Sequence, residues 1–297
     1  MRYDTPGKIT DGLWYLGHRE SGVYLLEGSN ESLIISGGTS YIVPAVMRQL
    51  RDFSLREDRI SSILILHSHF DHIGIIPFFR KRHPEIRVYG SSRAWEILGV
   101  PRNILTINDF SRRIAERMRM GPIGKDLDWP EGLQGEAVKE GTVINLGNLT
   151  VEIMETPGHS SCSVSVYAPQ IRALFPSDGG GIPYKGMIIA APNSNFVQYR
   201  ASLKRMDALA LEYLCADHFG YVYGDEAHSY IKNSIKSADE EFARLANIYN
   251  RSRDVEIAAR EAALSFLTEN PDYFLTPEIY EGVCRQMMKS VASILES

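Results

Sequence analysis

The chain has 297 residues, 44% hydrophobic and 23% charged, with a formal net charge of −5 and a pI near 5.9. That balance suits a globular protein with ample core and leaves no broad basic footprint, so a nucleic-acid partner is not expected. No uncharged apolar run approaches the ~18 residues of a bilayer span, the N-terminal stretch MRYDTPGKITDGLWYLG has no apolar signal region, and the three scattered cysteines, Cys162, Cys215 and Cys284, read as reduced thiols. The expectation is a cytoplasmic protein with no membrane contact.

Short strands open the chain at Gly12–Leu16, Gly22–Leu26 and Ser32–Ile35, runs of β-branched or aromatic residues bounded by Gly, Asn or Ser. A helix is expected over 43–53, then a fully buried strand at Ile63-Leu64-Ile65-Leu66. A helix over 73–81 and a strand at Ile86–Tyr89 follow. Phe110, Ile114 and Met118 at four-residue spacing mark an amphipathic helix over about 105–120. Strands return at 142–144, 149–153, 163–167 and 173–175, and an apolar helix is expected over 203–214. After residue 224 the pattern turns helical: 225–250, 255–267, and a third helix opening at Thr276-Pro277 with an apolar face of Ile279, Val283, Met287 and Val291. Strands, helix, strand, helix and strands again suit a two-sheet core with helices outside it. The division expected is 1–224 for this core and 225–297 for a helical extension covering the active-site edge. Its apolar faces leave room for a homodimer or a protein partner.

The chemistry concentrates in Leu66-His67-Ser68-His69-Phe70-Asp71-His72-Ile73-Gly74, which holds three of the chain's eight histidines. In extended backbone, positions i and i+2 point the same way, so His67 and His69 can converge on one ion. Asp71 and His72 follow one turn later and can aim at a second. Imidazole and carboxylate both suit zinc and iron. Further donors lie beside glycines: His159 in Thr156-Pro157-Gly158-His159-Ser160 just after a strand, Asp178 at a strand end before three glycines, where a carboxylate could bridge two metals, one oxygen to each, and His218 in Ala216-Asp217-His218-Phe219-Gly220 after the helix over 203–214. Taken singly, each of these reads more readily as a structural residue. His83 and His228 read as surface residues and are set aside.

HSHFDH resembles the HxHxDH signature of the metallo-β-lactamase-fold hydrolases, and His159, Asp178 and His218 follow in the order that family uses. The resemblance covers about residues 8–222. It implies an α/β, four-layer αβ/βα sandwich with the site on one edge. It also implies one metal on His67, His69 and His159, another on Asp71, His72 and His218, and Asp178 bridging them. The early family strand that often ends in Asp-Thr-Gly ends here as Ile35-Ser36-Gly37-Gly38, so the acid that normally supports the ligands from behind is missing. His18, Tyr184 and Tyr199 are candidates to replace it.

Two divalent cations, zinc or iron and also manganese, would activate a bridging hydroxide near neutral pH, with Asp71 orienting it and moving its proton. The resemblance therefore implies a metal-dependent hydrolase of small molecules. The missing signal region and Asp178 argue against a secreted lactamase, and the absent flavodoxin domain against a flavodiiron oxidoreductase. What remains is the glyoxalase II-like group, acting on thioesters, esters or lactones, and the PqsE-like layout with its helical tail. The alternatives are a phosphodiesterase or nuclease of the same fold, and a PqsE-like regulator acting through a protein partner.

Overall fold

The structure is a computed structural model that describes residues 2–121 and 123–296. The elements are β1 (Gly7–Thr10), β2 (Leu13–His18), β3 (Ser21–Glu27), β4 (Ser32–Ile35), α1 (Val43–Asp52), β5 (Ile60–Leu64), α2 (Ile76–Arg82), β6 (Arg87–Ser91), α3 (Ser92–Leu98), α4 (Pro101–Arg117) and β7 (Glu136–Val138). The second half adds β8 (Val143–Asn145), β9 (Thr150–Glu155), β10 (Val164–Ala168), β11 (Ala173–Phe175), β12 (Ile182–Tyr184), β13 (Met187–Ile189), α5 (Phe196–Asp207), β14 (Tyr213–Cys215), β15 (Tyr221–Tyr223), α6 (Asp225–Ser252), α7 (Val255–Glu269) and α8 (Pro277–Leu295).

Strands β1 to β7 form one seven-stranded sheet in sequence order, antiparallel up to β4 and parallel from β4 to β7. The second sheet has six strands in the order β15-β14-β11-β10-β9-β8, antiparallel except for the β11–β14 pair. The period-two alternation of strands decides which layer each side chain joins. Leu13, Tyr15, Tyr24, Leu26, Leu33 and Ile35 face the second sheet and meet Val151, Ile153, Val164, Val166 and Phe175 between the layers. Their neighbours Leu16, Val23, Leu25, Ile34 and Ile63 face outward into a cluster with α1, α2, α4, α7 and α8. On the other side, Leu174, Leu214 and Val222 pack against α5 and α6. The result is the expected four-layer sandwich, followed by a C-terminal helical region.

Three expectations need correction. The helix expected over 203–214 ends at Asp207, and Tyr213–Cys215 is a strand. Leu214 and Cys215 are buried on opposite faces of β14, which erases the alternation that would have marked it. The helix expected from Ile73 begins at Ile76, because Phe70–His72 forms a 3-10 turn. Asp178 likewise lies on a 3-10 turn, Ser177–Gly180, rather than at the end of β11.

Two loops meet where β4 and β5 end. Gly37 N–H donates to the His72 carbonyl at 2.8 Å, and Gly74 N–H donates to the Gly38 carbonyl at 2.7 Å. A Cβ on Gly74 would stand 2.1 Å from the Ser40 nitrogen, so only glycine lets these backbones touch. This contact fixes the height of His72 above the sheet edge.

Candidate metal centre

Past β5 the chain stays extended, with Ile65 N–H donating to the Tyr89 carbonyl and the Leu66 carbonyl accepting from Val164 N–H. His67 and His69 therefore point to the same side, as their i, i+2 spacing requires. Their Nε2 and Nδ1 atoms lie 3.1 Å apart, and His159 Nε2 is 3.2 and 3.0 Å from them. His159 is delivered by Gly158, whose φ of +133° puts it where a Cβ would be 2.2 Å from the Tyr199 nitrogen. A tetrahedral ion with bonds of about 2.0–2.1 Å separates its ligand nitrogens by about 3.3 Å, close to this triangle.

A second group stands beside the first. His218 Nε2 is 3.2 Å from His72 Nε2, and the Asp71 carboxylate oxygens are 3.7 Å from His72 Nε2 and 3.6 Å from His218 Nε2. Asp178 lies between the groups: Oδ2 is 3.3 Å from His72 Nε2 and 3.5 Å from His159 Nε2, while Oδ1 is 3.5 Å from His218 Nε2. Oδ2 thus reaches both groups and Oδ1 the second, a placement from which Asp178 can serve both. All seven residues singled out in the sequence come together here, and all but the half-buried His69 are buried.

The backs of the rings decide which nitrogens are free. His159 Nδ1–H donates to the Ala191 carbonyl at 2.7 Å and His218 Nδ1–H to the Glu20 carbonyl at 2.7 Å. His72 Nδ1–H donates to Asp217 Oδ2 at 2.7 Å, and His67 Nδ1 faces Ser177 Oγ at 3.3 Å. With Nδ1 engaged at the back, the neutral form of each of these four imidazoles presents a bare Nε2 lone pair inward. Lone pairs facing one another at ~3 Å repel, and a divalent cation between them removes the conflict, so the donor set fits metal.

The acid missing at Ser36 is supplied by Asp217. Its Oδ2 accepts from His72 Nδ1 and from the hydroxyls of Ser36 at 2.9 Å and Ser177 at 2.6 Å. Of the three candidates for this task, Tyr199 alone reaches the site segments, donating to the Asp178 carbonyl at 3.3 Å. Tyr184 bonds Asp272, and His18 faces Glu20 and Tyr41. His83 pairs with Glu57 and His228 is exposed, both away from the site. Asp217 directly precedes His218, yet nothing in the sequence pattern marks it. Neighbours in extended backbone point oppositely, and these two straddle the His72 ring, one at each nitrogen.

The family model of the metallo-β-lactamase superfamily matches residues 17–218, most of the chain and the whole of this constellation. The chain belongs to the metallo-β-lactamase superfamily. It is 25% identical over 252 residues to the acyl-coenzyme A thioesterase MBLAC2 of Gallus gallus, covering 77% of this chain and 86% of that protein. It is 29% identical over 119 residues to a hydroxyacylglutathione hydrolase of Legionella pneumophila, covering 40% of this chain and 33% of that one. Among solved structures, a metallo-β-lactamase family protein of Thermus thermophilus superposes with a TM-score of 0.65 at 16% identity, over 95% of this chain and 94% of that one. That match extends the fold likeness through the helical tail.

Electrostatics put most of this superfamily site in the protonation state that metal binding needs. Burial, reinforced by the neighbouring imidazoles, pushes His67 well down; burial also lowers His69 and takes His159 to about 3. For Asp178, burial opposes ionisation, but the His72 and His218 imidazoles outweigh it and hold the carboxyl well below the usual range. His72 is the exception: burial opposes its charging, yet Asp178, Asp71 and Asp217 raise it well above the ordinary imidazole value. A cation at its Nε2 would displace that proton.

The site opens into a cavity of about 570 Å³ that runs from the donor groups to α4, α8 and residues 273–275. Phe274 closes one side, its ring 4.8 Å from that of His218. Three features here were not expected from sequence: the β12–β13 hairpin, which lends Ile182 and Ile189 to the cavity, the Phe274 loop, and Gly282 on α8. Among the described residues no helix is long and apolar enough to cross a membrane, and the three cysteines are free and buried.

Proposed function

We propose that this superfamily hydrolase is a dinuclear metallo-hydrolase that cleaves the thioester, ester or lactone of a small molecule. The observation that carries this reading is the pair of donor groups joined by Asp178 Oδ2 at the end of a cavity of ligand size. One cation would be held by His67, His69 and His159, the other by Asp71, His72 and His218, with Asp178 between. Two divalent cations there would supply the Lewis acidity that lowers the pKa of water and polarises a carbonyl.

The chain's own residues do the rest. The Ala191 and Glu20 carbonyls and the Asp217 carboxylate lock the three imidazoles so that no ring has to reorient during turnover. Asp71 lines the cavity beside His72 and His218, where its carboxylate can take a proton from water and release it to the leaving group. Phe274 and the α8 face exclude bulk water from that end. The relative named as an acyl-coenzyme A thioesterase supports the thioester form of this reading.

The test is a screen of acyl thioesters, aryl esters and lactones with protein loaded separately with zinc, iron or manganese, run beside His69→Ala. Turnover that falls by at least about 10³-fold in the variant is expected. Turnover equal in both proteins, or cleavage of a bis-aryl phosphate and none of the acyl substrates, would overturn it. Elemental analysis of freshly purified protein names the metal.

A further inference from the structure

Resting on that hydrolase reading, we propose that the cavity beneath α8 takes an uncharged, largely apolar acyl group, and that Gly282 sets how wide that group can be. The donor end carries the only full charges on the lining among the described residues, Asp71 and Asp178. Beyond them the wall is uncharged and mostly apolar: Ile107 and Phe110 from α4, Ile279, Val283 and Met287 from α8, and Leu275 between, with Asn103, Asn193 and Gln286 among its polar groups. No lysine or arginine among the described residues reaches this wall, so a carboxylate or phosphate on the acyl side would lose its hydration and gain no cationic partner. The hydrocarbon of an acyl chain gains by the same burial.

Gly282 is the second, independent observation. It lies inside α8, on the face that repeats through Ile279, Gly282, Val283, Gln286 and Met287 toward the cavity. Glycine weakens a helix interior relative to alanine, and its usual excuses are absent here. Its φ is not positive, and a Cβ built on it meets no atom within 4 Å. No packing requirement inside the protein explains this glycine. What its missing side chain leaves is open space on the lining of the cavity.

Hydrolysis of such a substrate adds water across the acyl–sulfur or acyl–oxygen bond, releasing the acyl group as a carboxylate, with one proton of the water going to the leaving group and the other to solvent. The experiment compares kcat/KM of the metal-loaded full chain on 4-nitrophenyl acetate, butanoate, octanoate and hemisuccinate. Octanoate should exceed acetate, and butanoate should exceed the anionic hemisuccinate, each by at least about tenfold. In Gly282→Leu the octanoate-to-acetate ratio should fall at least about tenfold, and in Gly282→Ala about threefold, while the Tm of the alanine variant rises by about 2 °C. Hemisuccinate cleaved as well as butanoate, or a ratio unmoved in both variants, overturns the proposal and leaves the hydrolase reading standing.

If no ester is cleaved and the thioester and lactone screen is also negative, calorimetric binding of octanamide against succinamate decides. Octanamide bound more tightly, and weakened in Gly282→Ala, keeps the pocket assignment and sinks the hydrolase reading. No binding of either amide sinks both.

Discussion

His72 is gripped at both ends of its ring, with His218, Asp71 and Asp178 around Nε2 and Asp217 at Nδ1. Asp217 Oδ2 carries three donors while its Oδ1 is buried without a partner among the described residues. A carboxylate left half-satisfied in the interior is costly, which fits a group kept for its negative charge behind an imidazole. Replacing Asp217 by Asn keeps the shape and removes the charge. Metal affinity, measured by competition with a chromophoric chelator, should fall about 10–100-fold, and Asp217→Ala should fall at least as far. Affinity equal to wild type in both variants would remove Asp217 from this role. Four of the seven donors were legible from type and spacing in HSHFDH, while His159, Asp178 and His218 were legible only through the order that the family resemblance implies. Asp217 was hidden because its function depends on which side of an extended backbone it faces, across 145 residues of chain.

At the scale of elements, two contacts between loops matter more than any single strand. Gly74 lies against Ser40 and Gly38, and its replacement by alanine forces backbone to move rather than a side-chain tip. Gly74→Ala should cost about 1–3 kcal/mol in denaturant unfolding and weaken metal binding with it, since His72 rides on the same loop. The second contact holds the Phe274 loop: Arg117 donates to the Tyr273 carbonyl at 2.7 and 3.1 Å and to the Pro271 carbonyl at 3.2 Å, while Lys185 pairs with Asp272. Arg117→Ala should raise the hydrogen-exchange rate of residues 271–275 and raise KM more than it lowers kcat, because the loop closes the cavity without reaching the donor groups from behind. Exchange unchanged in that loop would show that packing of Tyr273 and Phe274 holds it unaided. Long periodic helices such as α6 and α8 were readable from their stripes. The short strands β7 and β12 were not, since Glu136-Ala137-Val138 holds one β-branched residue and Pro183 interrupts Ile182–Tyr184.

On the scale of the whole molecule, the donor groups sit where the two sheets and both helical layers meet, so the site reports on the entire fold. His67 and His69 come from the first sheet, His159 and Asp178 from loops of the second, and His218 from the turn after β14, itself stapled to the β2–β3 turn through Glu20 and Arg19. Such a set exists only in the folded chain, so a cation that binds it stabilises the fold by RT ln(1 + [L]/Kd), about 2.7 kcal/mol at a hundredfold excess over Kd. Unfolding exposes the donors singly and loses that term. Tm should therefore rise with zinc concentration by several degrees over the chelator-treated protein, and the increment should shrink sharply in His69→Ala and His159→Ala. The two variants separate this from adventitious zinc binding, because each removes one corner of a single triangle and both should reduce the increment alike. A Tm that does not move while elemental analysis shows two ions bound per chain would mean that the metals bind folded and unfolded chains equally, and the preformed site argued from the lone-pair geometry would fail.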